Sequence, residues 1–412
     1  MRSAKTVDLV YFNAGGGHRS AAVALDAVIR EQARPWQVRL VNLFEVLDPR
    51  DVFRKTTGMK PESYYNARLK RGWTLGLAQE LKIFQALIRL SHKSLTAQLA
   101  RHWRKSKPDL VASLVPNFNR AMYQALAIAR PRAPYVTVLT DFADLPPHFW
   151  IESHQAQHLI CGTPRAVAQA YAAGYDERHV HATSGMIIRP DFYRGLQLER
   201  RSEMRKLGLD PDRLTGIVMF GGHGSIAMRR IAERLEDTQL ILVCGHNTAL
   251  AEQLRSMGGG APRIVVGFTA HIRYFMQLSD FFIGKPGPGS ISEAVQQGLP
   301  VIVVRNAWTM PQERYNADWV EENHTGVVLD SFKHIRSGVS ALTARIDEYR
   351  AALKRVRNHA IFEIPEILEQ ILQTELRPQL GLAAPVRVGV DVIQHFRTPQ
   401  RLHLTQNPVP PL

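Results

Sequence analysis

Short apolar runs, each followed by a turn and then an amphipathic stretch, recur along most of the chain. The run at 7–12 comes first, and the run at 301–304 contains no polar residue. Continuous apolar runs of this length are typical of strands buried on both faces of a parallel sheet. Strands are predicted at 7–12, 38–43, 110–115, 135–139, 158–161, 180–185, 216–220, 240–245, 263–267, 278–283 and 301–304, and helices at 120–130, 164–173 and most of 338–375. The alternation of strands and helices predicts the α/β class.

This pattern occurs twice along the chain. After a polar and charged stretch at 195–213, residues 216–225 repeat the strand and Gly-rich turn of residues 7–18. We therefore predict two Rossmann-like domains that face each other across a cleft, an arrangement typical of nucleotide-sugar enzymes. The predicted units are domains at 1–195 and 210–340, C-terminal helices at 341–376, and a polar, proline-rich tail at 377–412 with little order.

The segment 284–300 connects two predicted strands through a Gly-rich turn and a short helix. Gly287 and Gly289 allow a ligand to approach the backbone closely, and a helix start at Ser290 would present unpaired N–H groups to an anion. Gly298 would end this helix in the left-handed conformation. The arrangement predicts a phosphate cradle.

The first predicted strand ends in three glycines, and a substrate could lie on their backbone at Gly16 and Gly17. The spacing matches neither the dinucleotide fingerprint nor the P-loop. His18 follows at the carboxyl edge of the predicted sheet, where open α/β folds bind ligands, and Asp141 follows another strand. Each is a candidate general base; a solvated loop histidine and a capping carboxylate are the alternatives. The matching turn of the second half adds the candidate binding residues Gly221, Gly222 and Gly224.

The formal net charge of +15 is concentrated in one span. Residues 50–107 carry fourteen Lys or Arg against three acidic residues, a net +11, with Tyr64, Tyr65 and Trp73 among them. An apolar helical stripe runs from Leu81 to Leu95 beside several of these cations. Basic amphipathic helices with aromatic residues bind anionic bilayers, so we expect this span to face a membrane surface. The alternative for the stripe is an ordinary core helix with a solvated basic face.

Composition limits where the protein acts. No apolar run approaches the ~18 residues of a membrane span, and the first strand leaves no room for a signal peptide. Cys161 and Cys244 lie far apart without metal-ligand spacing, so both are expected to be small buried hydrophobes. We expect a cytoplasmic protein, peripheral on the inner face of the cell membrane.

Several ordered stretches resemble the monogalactosyldiacylglycerol synthase and diacylglycerol glucosyltransferase family, glycosyltransferase family 28. They are also more distantly similar to the enzyme that adds N-acetylglucosamine to a peptidoglycan lipid precursor. The matching stretches are 15–18, 138–141, 220–224, 243–247, 266–269, 285–294, 298–302 and 311–316. They occur in the family's order between residue 8 and about residue 330.

The resemblance implies a GT-B fold and an inverting transfer of a hexose from a UDP-sugar to a lipid hydroxyl, with no cofactor or required metal. The N-terminal domain would face the acceptor and membrane, and the domain at 210–340 would bind the UDP-sugar. His18 would face the reacting centre. Carried over by the motifs, the donor contacts would be Phe268 and Thr269 at the uracil, Glu293 at the ribose, Gly287 to Ser290 at the pyrophosphate, and Gln312 and Glu313 at the sugar. Asn316, in the same stretch, is a further substrate-binding candidate.

Three alternatives remain open. The spacing of Ser290 and Glu293 also fits a capping box, in which Glu293 only stabilises its helix. A sugar 2-epimerase would keep the fold and the UDP-sugar, but it has no need of a basic, aromatic, membrane-facing span. Nucleic-acid binding through that span would leave the predicted phosphate cradle unexplained, so no nucleic-acid partner is expected. The donor sugar and the lipid acceptor are not assigned.

Overall fold

A computed structural model describes residues 4–13, 17–49, 55, 77–195 and 198–376. The predictions about Gly16, the tail at 377–412 and most of the basic span before residue 77 lie outside these residues.

Twelve strands in the described residues form two six-stranded sheets, and every pairing in both sheets is parallel. The first sheet contains β1 (Lys5–Tyr11), β2 (Trp36–Asn42), β3 (Leu110–Ser113), β4 (Tyr135–Val138), β5 (His158–Cys161) and β6 (Val180–Ala182). The second contains β7 (Thr215–Met219), β8 (Gln239–Val243), β9 (Arg263–Val266), β10 (Phe281–Gly284), β11 (Val301–Val304) and β12 (Gly326–Leu329). The predicted α/β class is confirmed, and β12 is a strand that the sequence pattern did not reveal.

Helices connect the strands. Those associated with the first sheet are α1 (Gly17–Glu31), α2 (Leu43–Leu47), α3 (Leu77–Leu90), α4 (His92–Ser106), α5 (Asn119–Ala129) and α6 (Pro164–Ala172). From residue 200 onward they are α7 (Arg200–Lys206), α8 (Ala227–Arg234), α9 (Thr248–Arg255), α10 (Ile272–Gln277), α11 (Pro288–Gln296), α12 (Arg314–Glu322), α13 (Ile335–Ala344), α14 (Ile346–Leu353) and α15 (Ala360–Leu376). Three 3₁₀ turns lie at Pro190–Tyr193, Pro311–Glu313 and Phe332–His334.

The last helix returns to the first sheet. Buried residues of α15, among them Ile361 and Leu368, share one hydrophobic core with β1 and α1. In contrast, α13 packs beside β11 and β12 of the second sheet. The chain therefore passes between the two sheets twice, once after Ala182 and once between α14 and α15.

Strand order creates a crevice in each sheet. The first sheet has the order β2-β1-β3-β4-β5-β6. β2 lies on one side of β1 and the later strands lie on the other, so the direction in which strands are added to the sheet reverses between β1 and β3. The second has the order β12-β11-β10-β7-β8-β9, with the reversal between β7 and β10. Ligands of open parallel sheets bind outside the carboxyl ends of the strands at such a reversal. Gly17, at the start of α1, and the Gly-rich turns after β7 and β10 lie at these two points.

Both cysteines are free, and each is fully buried at the end of a strand. Burial raises the pKa of Cys161 to about 12 and that of Cys244 to about 11, so both thiols are protonated at neutral pH. The prediction that they act as small hydrophobes is confirmed.

Candidate active site

His18 lies at the reversal point of the first sheet, in the first turn of α1. The hydroxyl of Thr140, which follows β4, is 3.2 Å from its Nδ1. The ring of Phe12 approaches edge-on at 6.0 Å between centroids. Loss of water around the ring lowers the pKa of His18 to about 4, although a hydrogen bond with the Leu114 backbone opposes this. His18 is therefore a neutral imidazole at physiological pH.

Asp141 is buried directly after Thr140, on the same edge of the sheet. The indole Nε1 of Trp150 donates a hydrogen bond of 2.9 Å to its Oδ2. Burial raises the pKa of Asp141 to about 7, and the bond from Trp150 limits the rise. A carboxyl group with a pKa near the working pH suits proton abstraction. The Trp150 ring also lies 5.9 Å from the His18 ring, so one side chain borders both candidate bases.

The loop that carries Trp150 is held by the Asp144 carboxylate. Oδ1 accepts hydrogen bonds from the backbone N–H of Trp150 at 2.6 Å and of Ile151 at 3.4 Å, and Oδ2 accepts one from His148 at 3.0 Å. Gln169 fixes Asp144 in turn by bonding to both its N–H and its C=O. Trp150 is fully buried as a result, with its indole N–H directed at Asp141.

The turn and the helix on which the predicted cradle rests follow β10, but the helix begins earlier than expected. α11 starts at Pro288, with Gly287 as N-cap residue and no side-chain cap. The prediction of a helix start at Ser290 is wrong by two residues, because proline is pre-organised for the first helical position. The N–H groups of Gly289 and Ser290 lie in the first turn and have no acceptor within the helix. A side chain added at Gly289 would meet no atom within 4 Å, so this turn faces open space.

Because the helix begins at Pro288 and not at Ser290, Glu293 cannot form the alternative capping box. Ser290 is the third helical residue and not the N-cap, so Glu293 does not occupy the position from which it could return to a capped N–H. Gly298 does end the helix region in the left-handed conformation, at φ +72°, as predicted.

Loops after β7, β8 and β9 form the rest of this edge. The N–H of His246 donates to the Gly222 carbonyl at 2.9 Å, and the His246 ring stacks on the exposed ring of Phe268 at 4.0 Å. Gly245 is at φ +58°, and a Cβ there would lie 2.2 Å from the Gly222 oxygen, so the two loops touch through backbone alone. Gly221 and Gly224 also have positive φ, and Thr269 accepts a hydrogen bond from the N–H of His271.

Glu293 in α11 lies near Arg189, which belongs to the segment that follows β6. Burial raises the pKa of Glu293 to about 7; the positive charge of Arg189 opposes this and Asp191 adds to it. Arg189 Nη1 donates to the carbonyl of Ala270 at 2.9 Å, next to Thr269. Arg189 thus connects the surroundings of Glu293 with the loop that carries Thr269.

Of the substrate-binding residues predicted after β11, Glu313 and Asn316 are buried and Gln312 is partly buried. The Nδ2 of Asn316 donates to the Pro286 carbonyl at 2.8 Å, so this side chain holds the cradle loop, while its Oδ1 is buried with no partner. Lys285 Nζ donates to Glu313 Oε1 at 2.5 Å. This ion pair joins the cradle loop to the 3₁₀ turn at Pro311–Glu313.

The two edges face each other. Phe142, next to Asp141, is buried in the core of the second half, with its ring 4.8 Å from that of Trp319 in α12. The guanidinium of Arg165 lies 5.7 Å above the ring of Tyr315, also in α12. Since α12 begins immediately after Glu313, these contacts bring Asp141 close to the ion pair. The charge of Glu313 raises the pKa of Asp141 and that of Lys285 lowers it.

The structure adds residues that the sequence did not single out. Trp150, Thr140, Arg189, His246 and Lys285 all border the candidate site. Lys285 and His246 lie inside stretches that carry the family resemblance. The sequence therefore indicated that these positions matter, but it did not reveal which residues they contact. Trp150 is a large aromatic residue shortly after Asp141, but only the closed loop brings its indole to the carboxylate.

The predicted apolar stripe from Leu81 to Leu95 belongs to two helices separated at Ser91. Ile88 is buried, and Leu81 and Leu95 pack against core clusters. A second set on α3 is exposed: Ile83 61%, Phe84 38%, Leu87 55% and Leu90 83%. Among the described residues, α3 therefore has both a core face and an exposed apolar face, and the cations Arg89 and Lys93 beside it are exposed. In the parts of the chain that are described, no helix has the length and apolar character needed to cross a bilayer.

Comparison with known proteins identifies close counterparts of this arrangement. The family model "Glycosyltransferase family 28 C-terminal domain" matches residues 225–371. The chain is 29% identical over 402 residues to a monogalactosyldiacylglycerol synthase of Spinacia oleracea, covering 91% of this chain and 74% of the relative. Among solved structures, Acinetobacter baumannii MurG superposes with a TM-score of 0.56 at 13% identity, covering 89% of this chain and 99% of that one.

A UDP-GlcNAc 2-epimerase from Neisseria meningitidis, solved bound to UDP-GlcNAc, superposes almost as well. Its TM-score is 0.55 at 15% identity, covering 89% of this chain and 99% of that one. With the two parallel sheets, these structural likenesses establish a GT-B fold of two Rossmann-like domains. They do not separate a transferase from an epimerase, because one fold hosts several reactions. The sequence relatives supply that distinction.

Proposed function

We propose that the chain is a member of glycosyltransferase family 28 that transfers a hexose from a UDP-sugar to the hydroxyl of a diacylglycerol-like membrane lipid. The match of residues 225–371 to the family's C-terminal domain and the 29% identity to a monogalactosyldiacylglycerol synthase support this proposal. The product is a glycolipid. The observation that carries the proposal is the pairing across the cleft of an anion cradle made of backbone N–H groups with a buried carboxyl group whose pKa is about 7.

On the donor side, the diphosphate lies against the first turn of α11. The N–H groups of Gly289 and Ser290 and the positive end of the helix stabilise its charge. Glu293 accepts hydrogen bonds from the ribose hydroxyls, and the loop at Phe268 and Thr269 borders the uracil. Gln312 and Glu313 approach the sugar from the beginning of α12, while Asn316 holds the loop that forms the cradle.

On the acceptor side, Asp141 is the base. As the acceptor oxygen bonds to C1 of the sugar, its proton passes to the Asp141 carboxylate. The bond between C1 and the diphosphate oxygen breaks, and its electron pair leaves with UDP. Attack from the side opposite the leaving group inverts the configuration at C1. His18 is a neutral ring beside this base and orients the acceptor, because its pKa of about 4 makes it a weaker proton acceptor than Asp141.

The test is sugar transfer from labelled UDP-glucose, UDP-galactose and UDP-N-acetylglucosamine to a lipid extract, with UDP release measured in parallel. We expect one donor to label the lipid fraction and Asp141→Asn to abolish the labelling. An epimerase would instead return an isomeric UDP-sugar and leave the lipid unlabelled, and that result would reject the proposal.

The acceptor is a lipid, so we further propose that residues 50–107 hold the protein on an anionic membrane at the inner face of the cell membrane. The support is the exposed apolar face of α3 beside Arg89 and Lys93, within a span of net charge +11. Apolar side chains insert among the acyl chains while the cations contact anionic headgroups.

Liposome flotation tests this surface. Replacing Ile83, Leu87 and Leu90 together by serine should weaken binding to anionic vesicles by about tenfold or more, because each exposed large side chain contributes roughly 1 kcal/mol or more on burial. A matched variant replaces Val23, Tyr171 and Leu214, which are also exposed but lie elsewhere, and should bind like the parent. Equal binding by both variants would exclude α3 as the membrane contact.

A further inference from the structure

Lys285 is a cation placed beside the phosphate cradle but paired with another group. It follows β10 directly, and its carbonyl accepts the N–H of Gly287 at 2.8 Å. A Cβ at Gly287 would lie 3.4 Å from Lys285 Cε and 3.7 Å from its Nζ. The ammonium group therefore lies against the backbone on which α11 begins.

The partner of Lys285 is Glu313, and their ion pair is suited to being exchanged when a ligand binds. Glu313 is 5% exposed as a residue, and the lysine side chain is 36% exposed. Removing a partner from a buried carboxylate is costly unless other donors replace it. A sugar supplies such donors in its hydroxyl groups, and a diphosphate supplies a stronger attraction for the ammonium. One nucleotide-sugar therefore carries both groups needed to exchange partners with the pair.

We propose that Lys285 is a catalytic cation that donor binding releases from Glu313, so that its ammonium bonds to the leaving diphosphate while Glu313 accepts sugar hydroxyls. This rests on the proposed function for the identity of the donor. When the C1–oxygen bond breaks, the electron pair remains on the diphosphate oxygen beside Lys285. The lysine thus adds a mobile charge to the fixed N–H groups of α11.

The arrangement also connects donor binding to the base across the cleft. Phe142 fixes the Asp141 loop against α12, which begins after Glu313. The charges of Lys285 and Glu313 act on Asp141 with opposite signs. Once Glu313 is covered by sugar and Lys285 faces the diphosphate, the environment of Asp141 differs from that in the free protein.

The experiment measures UDP binding to the full chain by calorimetry in two single variants. Lys285→Gln should weaken UDP binding by about tenfold or more, because it removes a charge-assisted bond to phosphate. Glu313→Gln should tighten UDP binding several-fold, because it removes the competitor for the ammonium group. Opposite signs are the diagnostic result, since a purely structural ion pair would be damaged in the same direction by either change.

Two further variants complete the design. Lys285→Arg keeps the charge and should keep UDP affinity within a few-fold of the parent. Lys5→Gln removes the lysine of another ion pair, that with Asp109 at the start of β1, and should leave UDP binding unchanged. Parental UDP affinity in Lys285→Gln, or weakened affinity in Glu313→Gln, would overturn the proposal. UDP binding requires no lipid, so failure of the lipid-labelling assay would reject the proposed reaction while this result stood by itself.

Discussion

At the carboxyl edge of the first sheet, Asp141 is buried and His18 is partly buried. Loss of solvation raises the pKa of Asp141 to about 7 and lowers that of His18 to about 4. At the same edge of the second sheet, the loops after β7 and β8 meet mainly through glycines and backbone groups. The sheets share a parallel topology and a reversal point with a Gly-rich turn. The same scaffold can therefore support proton transfer where ionisable side chains are shielded from water, and anion binding where backbone N–H groups are accessible.

The largest effect should come from the first edge. Asp141→Asn removes the base while keeping the size of the side chain, so kcat should fall by about 10²–10⁴. UDP affinity should remain near the parental value, because the donor binds the other edge. Steady-state rates and UDP calorimetry on the same preparation measure both quantities. Asp212→Asn, which removes an exposed ion pair with Arg201, is the matched control and should change neither.

The pH profile distinguishes the two candidate bases. The raised pKa of Asp141, about 7, means that the base is protonated below pH 7 and ionised above it. kcat/KM should therefore rise with pH through about 7 and then level off, falling about tenfold per pH unit on the acid side. An inflection near pH 4 with a flat profile around 7 would point to His18 instead, because its pKa is about 4.

A smaller effect is expected from a change at the second edge. Here UDP affinity should change, whereas the change at the first edge affects kcat. Glu293→Gln should weaken UDP binding at least about tenfold at pH 8, because a carboxylate makes stronger hydrogen bonds than an amide. The pKa of Glu293 is raised to about 7, so the parental carboxylate is lost as the pH falls. The difference between parent and variant should shrink by pH 6. Equal UDP affinity at pH 8 would remove Glu293 from the ribose site.

The smallest effect concerns the glycines of the two turns. Gly224 is at φ +61°, and a Cβ would lie 2.9 Å from the Cys244 carbonyl oxygen. Gly224→Ala should lower Tm by roughly 3–8 °C, since the left-handed conformation costs ~1–2 kcal/mol with a side chain. Gly17 has open space around it, so Gly17→Ala should leave Tm nearly unchanged. Calorimetric melts compare the two, and equal losses would mean that both turns are equally constrained.

Most of the fold was accessible from the sequence because buried parallel strands are continuous apolar runs. β5 and β11 have the predicted bounds, and other strands differ by a few residues at their ends. β12, a strand of four residues of which three are partly exposed, was not predicted. The break between α3 and α4 was missed because no glycine or proline marks it. The predicted domain boundaries stay predictions.

For the candidate site, the sequence predicts which residues follow each strand but not which of them contact each other. His18, Asp141 and the cradle each follow an apolar run. Because all strands are parallel, each of these groups is expected at the carboxyl edge of its sheet. The contacts between them depend on distant segments. The indole of Trp150 meets Asp141 through a loop closed by Asp144, and Lys285 meets Glu313 across 28 positions of sequence. Periodicity carries no information about such pairs.

The return of α15 to the first sheet has a consequence for synthesis on the ribosome. All six strands of the first sheet have been made once the chain reaches Ala182, but the helix that covers β1 and α1 begins only at Ala360. At about 5–20 residues per second, the intervening segment takes on the order of 10–35 seconds to make. The second sheet and its helices, up to Leu353, emerge during this delay. The half of the molecule that is translated first is thus expected to finish folding last, and its bare apolar face is the surface that a chaperone would meet on the nascent chain.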